Sequence, residues 1–160
     1  MTDQHHLVLH QMRVCREQLV ETLQRNTAHT VVYAGTPAWC ISDVLMHVAF
    51  WEVEGCKSLM AHAHHRHYAT PNFHETDVDE INATAHAHLT LLPLATQLQY
   101  AADSRDAFMR ALNALDAGAL QREMYCPWAQ YASVESFLTG MYTHEHDHLN
   151  DVLGVLKVSL

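Results

Sequence analysis

The chain has no cysteine pair at ligand or redox spacing, no long apolar run and little glycine or proline. Its four cysteines, Cys15, Cys40, Cys56 and Cys126, stand far apart. Without a C-x-x-C pair, neither a disulfide framework nor a cysteine zinc site is indicated. No apolar stretch approaches the ~18 residues of a membrane span. Basic residues are scarce too: 9 Lys and Arg face 18 Asp and Glu, giving a net charge of −9 with histidine neutral. Such a surface repels phosphate backbones and anionic lipid, which argues against nucleic-acid and membrane partners. The opening Met1-Thr2-Asp3-Gln4-His5-His6 lacks the basic and apolar regions of a secretory signal. A cytoplasmic protein with reduced thiols is expected. The sequence also offers no Gly-rich phosphate cradle, no Ser/His/Asp order and no basic aromatic patch.

What is present points to helices. With 49% hydrophobic and 17% charged residues the chain is globular, and its 160 residues suit a single domain, 1–160. Val8, Met12, Cys15, Leu19 and Leu23 step by three or four and predict a helix over about 4–27. A connector through Thr30–Cys40, with Gly35 and Pro37, reads as β-like or irregular. Ser42 resembles an N-cap, with Asp43 well placed in the first turn of a second helix running to about residue 66. After a polar loop, Thr76-Asp77-Val78-Asp79 looks like the start of a third helix, with Ile81, Ala85, His88 and Leu92 on its buried face. Pro93 must kink or break that helix before it resumes through Leu98, Ala101, Phe108, Leu112 and Leu115. Gly118 and Pro127 bracket another connector, and Ser133 caps the last helix. No convincing strand is visible. The expected fold is all-α, a four-helix bundle with a long broken third helix and one long connection.

Histidine is abundant, at 15 of 160 residues. Random placement alone gives about 1.4 pairs at i,i+4, and the chain has two, His6/His10 and His144/His148. Setting separates them. The first pair lies in a polar N-terminal stretch, whereas the second sits in the apolar stripe between Met141 and Val152. Residues four apart on a helix differ by about 40° and about 6 Å, so both imidazoles can grip one cation. The full string His144-Glu145-His146-Asp147-His148 is a literal H-E-x-x-H, the signature of zinc proteases. The protease reading needs a further ligand downstream, but residues 149–160 hold no His or Glu, and Asp151 is too close on the same helix. A better third ligand is His47, flanked by Val44, Val48 and Trp51 on the second helix. Three imidazoles with one open position make a catalytic-type site for a divalent metal ion. Imidazole suits Zn, Ni and Fe alike.

The string Trp39-Cys40-Ile41-Ser42-Asp43-Val44-Leu45-Met46-His47-Val48-Ala49-Phe50-Trp51-Glu52 resembles the W-S-x-x-D-x-L-x-H-L-x-x-W-E signature of the DinB-like superfamily. Pro127-Trp128, Ser133 and the late H-x-x-x-H resemble its second signature, and Asp77–Ala83 is similar to the start of its third helix. That superfamily includes metal-dependent thiol transferases and the N-terminal domain of mycothiol-dependent maleylpyruvate isomerase. The resemblance implies a DinB-like four-helix bundle, a divalent metal on His47, His144 and His148, an occasional thiol cosubstrate and frequent homodimers.

Other residues carry open alternatives. Glu145 either holds a water as general base, makes a salt bridge or faces solvent. His146 points away from His144 and is expected at the surface. The tract His62-Ala63-His64-His65-Arg66-His67 is either an auxiliary metal store, a pH-sensitive lid or a polar helix end. His88 either lines the cavity or is a satisfied core histidine. Trp39, Phe50, Trp51 and Trp128 frame an apolar mouth or belong to the core. Cys15 and Cys56 read as buried small hydrophobes. The functional expectation is a metal-dependent transferase or hydrolase acting on a small electrophilic molecule. The alternative is a non-catalytic, metal-stabilised binding or dimerisation module.

Overall fold

The structure, a computed structural model, describes residues 3–25, 28–73 and 78–158. The chain is mostly helical, as its periodicity implies. Four long helices carry the core: α1 (Asp3–Arg25), α2 (Ile41–Ala63), α4 (Leu94–Asn113) and α6 (Val134–Val158). Two short ones, α3 (Val78–Leu89) and α5 (Ala117–Gln121), lie in the connections. Helix α2 packs on α4 and α1 on α6, with further contacts from α2 to α1 and α6. No described helix is long and apolar enough to cross a membrane.

The expected absence of strands is corrected. β1 (Val31–Tyr33) pairs antiparallel with β2 (Trp39–Cys40), and β3 (Met124–Tyr125) pairs with β4 (Tyr131–Ala132). Strands of two or three residues are too short to display an alternating pattern; the β-like reading of Thr30–Cys40 covers the first hairpin, and nothing announces the second. Their use is positional. The first hairpin delivers Tyr33 and Trp39 beside α2, and the second holds Trp128 in its turn while Pro127 accepts the Thr70 N–H at 2.8 Å.

Helix boundaries follow local chemistry. Cys40, not Ser42, is the N-cap of α2, with extended backbone at φ −99° and ψ 178°. The Asp43 carboxylate reaches back to accept from the Cys40 N–H at 2.8 Å and from its thiol at 3.0 Å, so the cap is supplied from inside the first turn. Ser42 is buried within the helix. α2 stops at Ala63, earlier than periodicity suggests, because His65 adopts a left-handed φ of 57° and the Arg66 N–H returns to the Ala61 carbonyl. Ser133 caps α6 as expected, accepting from the Ser136 N–H at 3.0 Å. Pro93 gives a full break: α3 ends at Leu89 and α4 starts afresh at Leu94. The Leu92 carbonyl left in the gap accepts from Gln97 Nε2 at 3.0 Å. The Thr76-Asp77 start expected for the third helix lies outside the described residues. Its expected buried face is also corrected. α3 has no buried residue, His88 is exposed, Ile81 and Ala85 are only half-buried, and Leu92 falls beyond the helix. A helix on the rim shows the stripe of a core helix without the depth.

The apolar core forms two clusters. One gathers Met12, Leu59, Phe108, Leu112, Phe137 and Leu138, the other Leu19, Leu23, Ile41, Leu45, Met46 and Val152. Between them on each long helix stands one charged residue: Arg16 on α1, Glu52 on α2, Arg105 on α4 and Glu145 on α6. Arg16 Nη2 lies 2.9 Å from Glu52 and its Nε 2.6 Å from Glu145. Arg105 Nε lies 2.6 Å from Glu52, and its Nη2 pairs with Glu145. Two cations and two anions thus cancel inside the core. Burial opposes the Arg16 charge, but Glu52 and Glu145 hold its pKa above the ordinary arginine value.

Gly55 lies where α2 packs against two buried aromatic rings. A Cβ there would sit 3.0 Å from the Phe137 ring and 3.1 Å from that of Phe108, and both rings are fully buried. Gly55→Ala gains helix propensity but overpacks two rings with no room to move. We expect a net loss of roughly 1–2 kcal/mol in urea unfolding. An unchanged or raised midpoint would show that the rings give way.

Candidate metal centre

Capping by Asp43 fixes where α2 begins, and this places His47 in its second turn, buried and facing α6. Helix α6 supplies His144 and His148 one turn apart, both half-buried. The ligand nitrogens of these three histidines lie within 4.8 Å of one another, a group that can hold a metal ion. His144 Nε2 is 3.0 Å from His47 Nε2 and 3.2 Å from His148 Nε2. A tetrahedral ion with bonds of about 2.1 Å sets its nitrogens about 3.4 Å apart, so the spacing is close to what coordination requires.

The proton inventory favours a cation over hydrogen bonding. Tyr33 Oη donates to Asp151 Oδ2 at 2.6 Å, because a carboxylate can only accept. Its lone pairs then face His148 Nδ1 at 2.8 Å, which must carry the proton. A neutral His148 therefore turns a bare Nε2 toward the cluster. One proton on His144 Nε2 can serve His148 or His47 but not both. Three converging nitrogens are left with too few protons, a deficit that a metal ion removes.

Electrostatics agree with neutral rings. Burial, reinforced by the neighbouring His144 and His148, pushes the His47 pKa down to about 2. Burial and His148 push His144 down to about 4, against the pull of Glu145 and Asp147. His148 is lowered by burial, with Asp151 opposing. Trp39 packs on His47 with ring centroids 5.1 Å apart and stacks on His86 at 5.2 Å. The indole thus covers one side of the cluster.

The other side is open. His47 and His144 line a cavity of about 370 Å³ walled by Trp51, Phe73, Trp128 and Met141. A larger cavity of about 440 Å³, lined by Phe50, Ile81, His88 and Tyr100, contains none of the three histidines. His88 therefore does not line the chamber beside the cluster. Phe50 packs on Trp51 rather than framing the mouth. His62 is buried and bonded to the Ala119 carbonyl at 2.8 Å, while His64, His65 and His67 are exposed, so the histidine tract is not one unit. His146 packs on Tyr142 away from the cluster. Burial lifts the Cys15 thiol to about 12 and that of Cys126 to about 11, so neither is a nucleophile at neutral pH.

Glu145 is neither a base at the metal nor a solvated carboxylate. Only 1% exposed, it is held by Arg16 and Arg105, about 100° around α6 from His144 and about 60° from His148. Sequence reasoning missed Tyr33, Asn82 and the part of Asp151. Asp151 could have been found at i+3 from His148, but Tyr33 arrives only through the hairpin.

Two predictions follow from this geometry. Glu145→Gln breaks a buried ion network and should cost roughly 3–5 kcal/mol in unfolding free energy, while metal content stays at the parent level. Loss of metal with unchanged stability would return Glu145 to the site. The second concerns pH. The folded state keeps His47 and His144 neutral, their pKa values pushed down to about 2 and about 4, whereas in the unfolded chain they titrate at about 6.5. Below that pH the unfolded chain binds protons that the folded chain refuses. Stability of the metal-free protein should be flat above pH 7. It should then fall by about 1.4 kcal/mol per pH unit for each such histidine as pH drops toward 5. Equal stability at pH 5 and 7.5 would show that these rings protonate freely in the fold.

No family model, curated protein or solved structure matches the chain.

Proposed function

We propose that the chain is a DinB-like four-helix bundle that holds a divalent metal ion on His47, His144 and His148. In this reading it acts as a metal-dependent transferase or hydrolase on a small electrophilic molecule. The observation that carries the reading is the convergence of three neutral imidazoles beside an apolar chamber that reaches two of them. A closed structural site would bury its fourth position. Here two of the three imidazoles, those of His47 and His144, line an open cavity.

The residues of the first signature also have work to do around this centre. Trp39 covers His47, Asp43 caps the helix that bears it, Trp51 walls the chamber, and Glu52 anchors the same helix in the core. Trp128, from the second signature, forms the facing wall. Such a division of labour explains why these residue types would recur together, and it supports the DinB-like assignment.

When bound, the ion supplies Lewis acidity and lowers the pKa of a nucleophile, a water or a thiol. The chain's part is to hold neutral imidazoles in place, orient His148 through Tyr33 and Asp151, and set apolar walls beside the site. Acid–base help from Glu145 is not part of this reading.

Metal analysis after loading with Zn, Ni or Co tests the proposal. The parent should bind one ion per chain. His47→Ala should weaken binding by more than the roughly 10–100-fold typical of outer-shell changes. Unchanged metal content in His47→Ala would refute the three-histidine site. A bound metal with no exchangeable fourth position, and no turnover of thiols with electrophiles, would refute the enzyme and leave a binding module.

A further inference from the structure

The chamber beside the histidines is defined by what its walls lack. Trp51, Phe73, Trp128 and Met141 give aromatic and thioether surface, and no Asp, Glu, Lys or Arg occurs among its described lining residues. In the metal-free protein a charged molecule entering it would shed hydration and meet no counter-ion among the described lining residues, so charge is selected against there.

One polar side chain outside the metal ligands breaks this apolar surface. Asn82, on α3, accepts the Trp51 Nε1–H through Oδ1 at 3.0 Å. An indole nitrogen can only donate, so the amide oxygen must face it and the NH2 is left over. No described residue accepts from that NH2. Asn82 lines the chamber, and its Nδ2 donor is unclaimed by any described residue.

We propose that the chamber selects a small, uncharged molecule with a flat apolar body and one carbonyl-type oxygen. The body lies against Trp51 and Trp128, and the oxygen accepts from Asn82 Nδ2. This deepens the proposed function, resting on its reading of the cavity as the substrate pocket of the metal centre. The volume of about 370 Å³ is near the lower end of small-molecule sites, roughly 300–1,000 Å³. It suits a one- or two-ring body and excludes a folded peptide.

Gly140 provides an independent handle. It lies in the chamber wall, and a Cβ there would meet only the Trp128 ring edge, at 3.9 Å. A larger side chain at this position grows into the chamber without colliding with backbone.

Calorimetric titration with 2-acetonaphthone, 2-naphthoate and 2-naphthylmethylammonium tests the proposal, on metal-free and metal-loaded protein. The ketone should bind at least about tenfold more tightly than either charged analogue in the metal-free form, whereas in the loaded form the naphthoate carboxylate gains the cation as a partner. Asn82→Asp keeps an oxygen for Trp51 but replaces the donor with a second carboxylate oxygen, so it should invert the order of ketone and ammonium. Gly140→Leu should abolish binding of all three while metal content holds. Equal affinity for a charged analogue in the metal-free parent, or an unchanged order in metal-free Asn82→Asp, would overturn the proposal. Failure to bind metal would instead sink the metal centre, because the metal-free titration reads the chamber alone.

Discussion

The buried quartet of Arg16, Glu52, Arg105 and Glu145 is the constraint on which the other features depend. Burying four charges is costly, and the cost is offset only when all four meet with their hydrogen bonds made. Ser104 donates to Glu52 at 3.2 Å and Arg16 to the Ala101 carbonyl at 3.1 Å, while Arg105 Nη1 has no hydrogen-bond partner among the described residues. Each long helix contributes one member, so none can turn about its axis without leaving a charge uncompensated. Hydrophobic packing alone would permit sliding, since one apolar side chain substitutes tolerably for another. The quartet forbids it.

The metal centre inherits this order. His144 is the immediate neighbour of Glu145, about 100° around α6, and His47 precedes Glu52 by five residues, about 140° around α2. The same contacts that fix the quartet therefore fix the directions in which the imidazoles point. The cluster is preorganised in charge as well as position. Its rings stay neutral because they are buried and crowd one another, which leaves lone pairs ready for an ion. Tyr33 and Asp151 then choose which nitrogen of His148 is bare. Ordering of this kind is done during folding rather than during ion capture.

The sequence made legible whatever depended on helical phase. The His144/His148 pair, the facing His47, the Ser133 cap and the break at Pro93 all follow from spacing of 3.6 residues or from the chemistry of one residue. What stayed hidden depended on meetings between distant segments. Tyr33 reaches His148 across 115 positions, and Arg16 reaches Glu145 across 129. A stripe pattern also cannot report depth. His88 and Ile81 share a face in α3, yet that helix lies on the rim, and its inward contribution is Asn82. The Cys40 cap was hidden for a different reason: cysteine is a poor capping residue, and Asp43 does the work three positions later.

The adjacency of His144 and Glu145 also limits how the length of this chain can change. One residue inserted in α6 ahead of His144 rotates everything beyond it by about 100° and lifts it by about 1.5 Å relative to the first half of the helix. Ligands and carboxylate would move together, so re-docking the helix to recover one would lose the core packing of Phe137 and Leu138. An insertion of about seven residues restores the phase but displaces the groups by about 10 Å along the axis. Length variation is thereby confined to the connections, above all residues 64–73 and 114–132. α6 is a segment that can change its residues but not its count.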